Sequence, residues 1–282
     1  MSIDWAIAER LGGYVASEPP GGTALAGDLD AYTQDAIARV TAYTQMTPTR
    51  EIPPPEAITR KQWLQVNLGS MRTIMQPLES KMPESGPMKA IGGTLTGAEI
   101  GGVVGYLAQR VLGQYELVLI DAASPERLLF VAPNLREAAT KLGVDEADLV
   151  AWVAFHEVTH AVQFTAVPWL REHLAGRLRA LLETVEEVKV DAGSLVKLSM
   201  DDLRSLADRL RDGGLITLAA GPERMAIIDE MQAVMAVVEG HAEHVMDVVG
   251  ADALDNLDEL RAALDRRRET KPQAVRILEK LL

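Results

Sequence analysis

The chain contains no cysteine. That excludes disulfides, thiolate metal ligands and a cysteine nucleophile. Aromatic residues are scarce, at 4%. The core must then be built from Ala, Leu, Val, Ile and Met, a mixture that favours helices. Basic residues are in deficit as well: 28 Lys and Arg face 41 Asp and Glu, a net charge of −13. Binding a nucleic-acid duplex takes a basic surface that displaces counterions, so nucleic acid is not an expected partner. The one basic run, Asp265-Arg266-Arg267-Arg268, reads as a solvated helix face. The N-terminus carries Asp4 and has neither a basic start nor an apolar core. It predicts no signal peptide, and the cytoplasm is the expected compartment.

A membrane span is not expected either. The candidate is 88–113, where Gly93, Gly97, Gly101 and Gly105 recur every four residues along one helical stripe. Glu99 sits in its middle. A carboxylate there costs about 2.5–3.5 kcal/mol even on the milder insertion scale. The four glycines together cost about 2–4 kcal/mol relative to alanine in a helix. The stripe therefore predicts a buried helix against which another element packs closely.

The 282 residues, 48% apolar and 24% charged, are ordinary for a globular chain with ample core. Helices are predicted at 3–16, 28–45, 60–81, 88–113, 135–142, 146–166, 172–192, 200–212, 222–248, 251–268 and 272–281. Pro48 and Pro53-Pro54-Pro55 force an extended run before a helix that Thr59 can cap. Residues 115–120 and 127–132 read as a β-hairpin, with Ser124-Pro125 in its turn. The expected fold is mainly α, with one small hairpin or reduced sheet.

Five histidines are present, at 156, 160, 173, 241 and 244, none in the first 155 residues. Four of them fall in two tight groups. The first lies in Phe155-His156-Glu157-Val158-Thr159-His160. Asp145 can cap this helix, Glu146 and Asp148 put negative charge in its first turn, and Pro168 stops it. His156 and His160 then lie one turn apart on one face, where both imidazoles can reach one ion. Glu157 stands about 100° round from His156, poorly placed as a ligand and well placed to touch water on the ion.

A catalytic zinc needs a third protein ligand and an open position. The extended motif that supplies a third histidine fails, because Gln163 and Ala166 occupy its positions. The candidate is Glu239, in Glu239-Gly240-His241-Ala242-Glu243. Glu239, Glu243 and Asp247 form an acidic stripe four residues apart, and a cation would offset its self-repulsion. With Glu239 on the metal, Glu243 could accept the other N–H of His156 or His160. A shift of one turn, with Glu243 as ligand and Asp247 behind it, fits the spacing equally. His241 lies about 200° from Glu239 on an ideal helix. Gly240 could loosen the turn, which would make His241 a donor to the transition state. His244 and His173 read as ordinary histidines.

These residues resemble the zincins. The segment 156–162 is similar to the active-site helix of thermolysin-type peptidases. More specifically, the chain resembles the zincin-like metallopeptidase family of type 2, an actinobacterial group often labelled as associated with deazaflavin cofactor biosynthesis. The matching pieces are Trp63 with Asn67, 112–115, 129–134, 156–164, 168–170, and Glu239-Gly240-His241 with Val245-Met246-Asp247. The resemblance implies one zincin-like domain over 1–282, with 1–50 a helical subdomain or lid and 51–282 the catalytic core. It implies one zinc per chain on His156, His160 and Glu239, and Glu157 as base. It also implies a strand edge that holds substrate backbone, for which 127–132 is the candidate. Thermolysin-type enzymes place their third ligand much sooner, whereas here about 80 residues separate His160 from Glu239.

The expected activity is zinc-dependent hydrolysis of a peptide or amide bond in a peptide, protein or small amide. Glu157 would move the proton, and His241 would help to hold the oxyanion. Three other readings stay open. One is a catalytically silent zinc-binding scaffold of the same fold. The second is a di-iron helix bundle, which lacks its second Glu-x-x-His here. The third is a buried helix without metal.

Overall fold

The computed structural model describes residues 3–80, 87–117, 119, 121, 124–184, 221–251, 253 and 261–262. Aspartates open three of its helices. Asp4 Oδ1 accepts from Ile7 N–H at the start of α1 (Trp5–Ala16), and Asp28 Oδ1 accepts from Ala31 N–H at α2 (Leu29–Thr44). Asp145 Oδ1 accepts from Ala147 and Asp148 N–H at α6 (Glu146–Ala166), which has the predicted bounds. Each such cap satisfies helix N–H groups that otherwise lack a partner. Between α2 and α6 lie β1 (Pro55–Ile58), α3 (Arg60–Ser80), α4 (Pro87–Ala108), β2 (Gly113–Glu116), β3 (Arg127–Val131) and α5 (Ala132–Leu142). After α6 come α7 (Pro168–Thr184) and the long α8 (Gly221–Ala251). The fold is mainly α with a small sheet, as expected. The predicted helices at 200–212 and 272–281, most of 251–268, and the run 265–268 lie outside the described residues.

Three corrections concern the strands and their flanks. α4 ends at Ala108, not 113, and the strand expected at 115–120 begins at Gly113. The pairing begins this early because Val131 N–H donates to Leu112 C=O at 2.9 Å. The helix expected from 172 starts at Pro168, because a proline in the first turn gives up no needed N–H. Lastly, the extended run at Pro53–Pro55 becomes a third strand. β1 pairs in parallel with β3, Pro55 opposite Leu128 and Ile58 opposite Val131, and β2 pairs antiparallel on the other side. A proline is tolerated at the first residue of an edge strand, where its missing N–H breaks no ladder.

β3 is thus the central strand, buried on both faces. Leu128 and Phe130 face one core, with α2, α5, α6, α7 and α8. Leu129 and Val131 face the other, with Ile58, α1, α3 and α4. Arg60, buried at the start of α3, ties the second core together. It donates to Asn134 Oδ1 (2.6 Å) and Ser17 C=O (2.9 Å) and pairs with Glu137 (2.8 Å). Asn134 in turn donates to the carbonyls of Ala108 and Val111, capping the end of α4.

The glycine stripe finds its partner in α1. A Cβ on Gly97, Gly101 or Gly105 would stand 2.3, 2.3 and 2.5 Å from the carbonyl oxygens of Asp4, Ala8 and Gly12. Backbone meets backbone here, so no side chain can move aside. Gly102, on the same helix, has open space where its Cβ would be. Gly101→Ala should therefore cost about 1–3 kcal/mol by overpacking, while Gly102→Ala should gain about 0.5–1 kcal/mol from helix propensity. Thermal melts of the two variants check this; shifts in the same direction would refute the packing argument. Among the described residues, no helix is long and apolar enough to cross a membrane.

Candidate metal centre

α6 is buried along almost its whole circumference, as expected for a helix enclosed by other elements. Its polar residues are satisfied within the fold: Thr159 and Thr165 donate to the carbonyls of Phe155 and Ala161. α8 packs across α6, and its Val238, Ala242, Val245 and Val249 are buried, an i, i+4, i+7, i+11 stripe. That docking turns Glu239 toward the two histidines. The helix is continuous through Gly240.

His156 Nε2 and His160 Nε2 lie 3.1 Å apart, with their rings edge to face. Glu239 Oε1 is 3.5 Å from His160 Nε2, and Glu239 Oε2 is 3.9 Å from His156 Nε2. Among the described residues, these three form the group whose ligand atoms could close round one ion. Zinc bonds of about 2.0–2.2 Å in a tetrahedral arrangement put ligand atoms about 3.3–3.5 Å apart. The three observed separations bracket that span. The donors, two imidazoles and one carboxylate, suit zinc and leave the fourth position open.

A cavity of about 170 Å³ opens on this group. Its wall includes Gly113, Gln114 and Tyr115 of β2, Trp63 of α3 and Phe164 of α6. Glu157 also lines it, and Glu157 Oε2 accepts from Tyr115 N–H at 2.9 Å. Burial first, and then the charge of Glu239, push the Glu157 carboxyl up to about 8; the Tyr115 N–H pulls the other way. The positive charge of a dication beside it would also act downward. Gly113 makes room for this side chain: a Cβ there would meet Glu157 Cγ at 2.7 Å and Oε1 at 2.8 Å.

A family model described as zincin-like metallopeptidase matches residues 3–282. The chain belongs to the zincin-like metallopeptidase family. Family membership implies zinc, and the His–His–Glu group is where the fold would hold it. A solved structure from Chloroflexus aurantiacus, described as a candidate hydrolase with a novel fold, is 27% identical with a TM-score of 0.65. The similarity covers 94% of this chain and 75% of that one. No curated protein matches.

Within this zincin-like fold, the strand expected to offer a free edge, 127–132, is the central one. β3 (127–131) has a neighbour on each side and so has no free edge; of the two edge strands, β2 lines the cavity. His241 does not line the cavity. Its Nδ1 lies 2.8 Å from Gln163 Nε2, and burial and the neighbouring His244 and His160 lower its pKa. Glu243 lies outside the group of three. Asp247 pairs with Arg261. His244 meets Tyr43 Oη at 2.9 Å, and His173 meets Glu230 at 3.4 Å.

Sequence reasoning placed Gly113, Tyr115, Gln163 and Met246 inside matching motifs but gave them no role at the site; Met246 Sδ lies 3.3 Å from His156 Nδ1. Met246 falls seven residues after Glu239, two helical turns along the same face, which is a signal the spacing did carry.

Proposed function

We propose that this chain is a zinc-dependent hydrolase that cleaves peptide or amide bonds. The observation that carries the reading is the convergence of His156, His160 and Glu239 beside a buried Glu157, at the mouth of one cavity. Zinc on these three residues supplies Lewis acidity, acidifying water and polarising a carbonyl. Glu157 is the proton carrier. The Tyr115 N–H holds its Oε2, so Oε1 is the atom that takes a proton from the attacking water and returns it to the leaving amine. The edge of β2 gives an extended substrate a backbone to lie against. Packed as it is against Gln163, His241 is assigned no contact with substrate.

Elemental analysis of protein purified without added metal or chelator tests the reading. We expect about one zinc per chain, lost in His160→Ala and weakened in Glu239→Ala, because each variant removes a direct ligand. Iron at two per chain, or no metal even after zinc is supplied, would sink it. The silent scaffold predicts the same zinc content and no turnover.

A further inference from the structure

Gln163 is buried, three residues after His160 on α6, and it touches both helices that make the site. The orientation of its amide follows from its neighbours. The Val238 carbonyl can only accept, so the amide atom 2.9 Å from it is the NH2. The other amide atom, Oε1, therefore faces His160 Nδ1 at 2.9 Å. Oε1 can only accept, so Nδ1 of His160 carries the ring proton. That leaves the lone pair on His160 Nε2, the atom turned toward His156 and Glu239. The same NH2 meets His241 Nδ1 at 2.8 Å. Val238, which it holds, immediately precedes Glu239.

We propose that Gln163 is the positioning residue of the metal site: one amide presets the His160 tautomer that ligation requires and clamps the α8 turn that presents Glu239. The proposal rests on the zinc reading above and goes beyond it by naming what preorganises two of the three ligands. Without this amide, the His160 ring is free to carry its proton on either nitrogen. The ion would then have to drive both the tautomer change and the docking of α8. Partners of this kind contribute about 10–100-fold to metal affinity.

Two measurements test it. Nitrogen-15 NMR of histidine-labelled, metal-free protein reads the tautomer directly, with His160 assigned by its loss in His160→Ala. We expect Nδ1–H on His160 in the wild type and in Gln163→Glu, which keeps the acceptor, and a mixture of tautomers in Gln163→Met. Zinc titration against a competing chelator should show the dissociation constant of Gln163→Met raised about 10–100-fold. An unchanged tautomer in Gln163→Met, or zinc affinity within about twofold of wild type, would reduce Gln163 to packing. Nε2–H on His160 in the wild type overturns the proposal whether or not any variant folds. A wild type that binds no zinc overturns the metal reading and the affinity half of this proposal, and the metal-free spectrum then decides the tautomer half separately.

Discussion

Glu157→Gln should retain zinc and lower hydrolysis by about 10²–10⁴-fold, the usual worth of a positioned general base. The substitution is close to isosteric. A glutamine oxygen can still accept the Tyr115 N–H that Glu157 Oε2 accepts now. Its NH2 group then replaces Oε1, and an amide nitrogen takes no proton at neutral pH. Glu157 is not one of the three residues of the candidate metal group, so metal content should be unaffected. The check compares the digest of an unbiased peptide library by wild type and variant, by mass spectrometry, beside zinc content. Cleavage at the wild-type rate by a zinc-loaded variant would remove Glu157 as base. No cleavage by either would favour the silent scaffold.

The parts of the fold legible in the sequence are those whose reasons are local. Asp145, the acidic first turn and the proline at 168 bound α6 from within its own segment. The i, i+4 spacing put both imidazoles on one face. The glycine stripe announced a close neighbour because four glycines in a helix are otherwise hard to justify; that the neighbour is α1 depends on tertiary packing. β1 was hidden because the prolines predict only an extended run, and the strand exists only through its pairing with β3. The expectation of a free edge on 127–132 follows from the same omission: without β1, β3 looks like one side of a hairpin.

At the site, Glu239 was legible as one of three stacked carboxylates. Which of them turns inward is settled by the Val238–Val249 stripe that docks α8. Glu243 was the expected support for a histidine because support usually comes from a carboxylate. For His160 it comes from its own helix, through a glutamine whose role depends on a carbonyl of α8. Sequence spacing cannot show a hydrogen bond that needs both helices in place.

Metal-free protein should lose stability as pH rises from about 4.5 to about 8, and Glu157→Gln should lose much less. Folding raises the Glu157 pKa from about 4.5 to about 8, chiefly by burial. Between those values the native state binds the proton that the unfolded chain has released, so each rise in pH favours unfolding. This contribution is complete below about 4.5 and is lost by the time pH passes 8. A shift of this size corresponds to a few kcal/mol, on the order of 1.4 kcal/mol per pH unit. Every other ionisable group is common to the two proteins, so the difference between the two curves reports Glu157. Chemical denaturation at several pH values in the presence of chelator measures it. Zinc should reverse the trend, since it binds the native state alone and its charge favours the ionised carboxylate. Parallel curves for wild type and Glu157→Gln would mean that Glu157 is solvated in the native state, and the buried base would have to be abandoned.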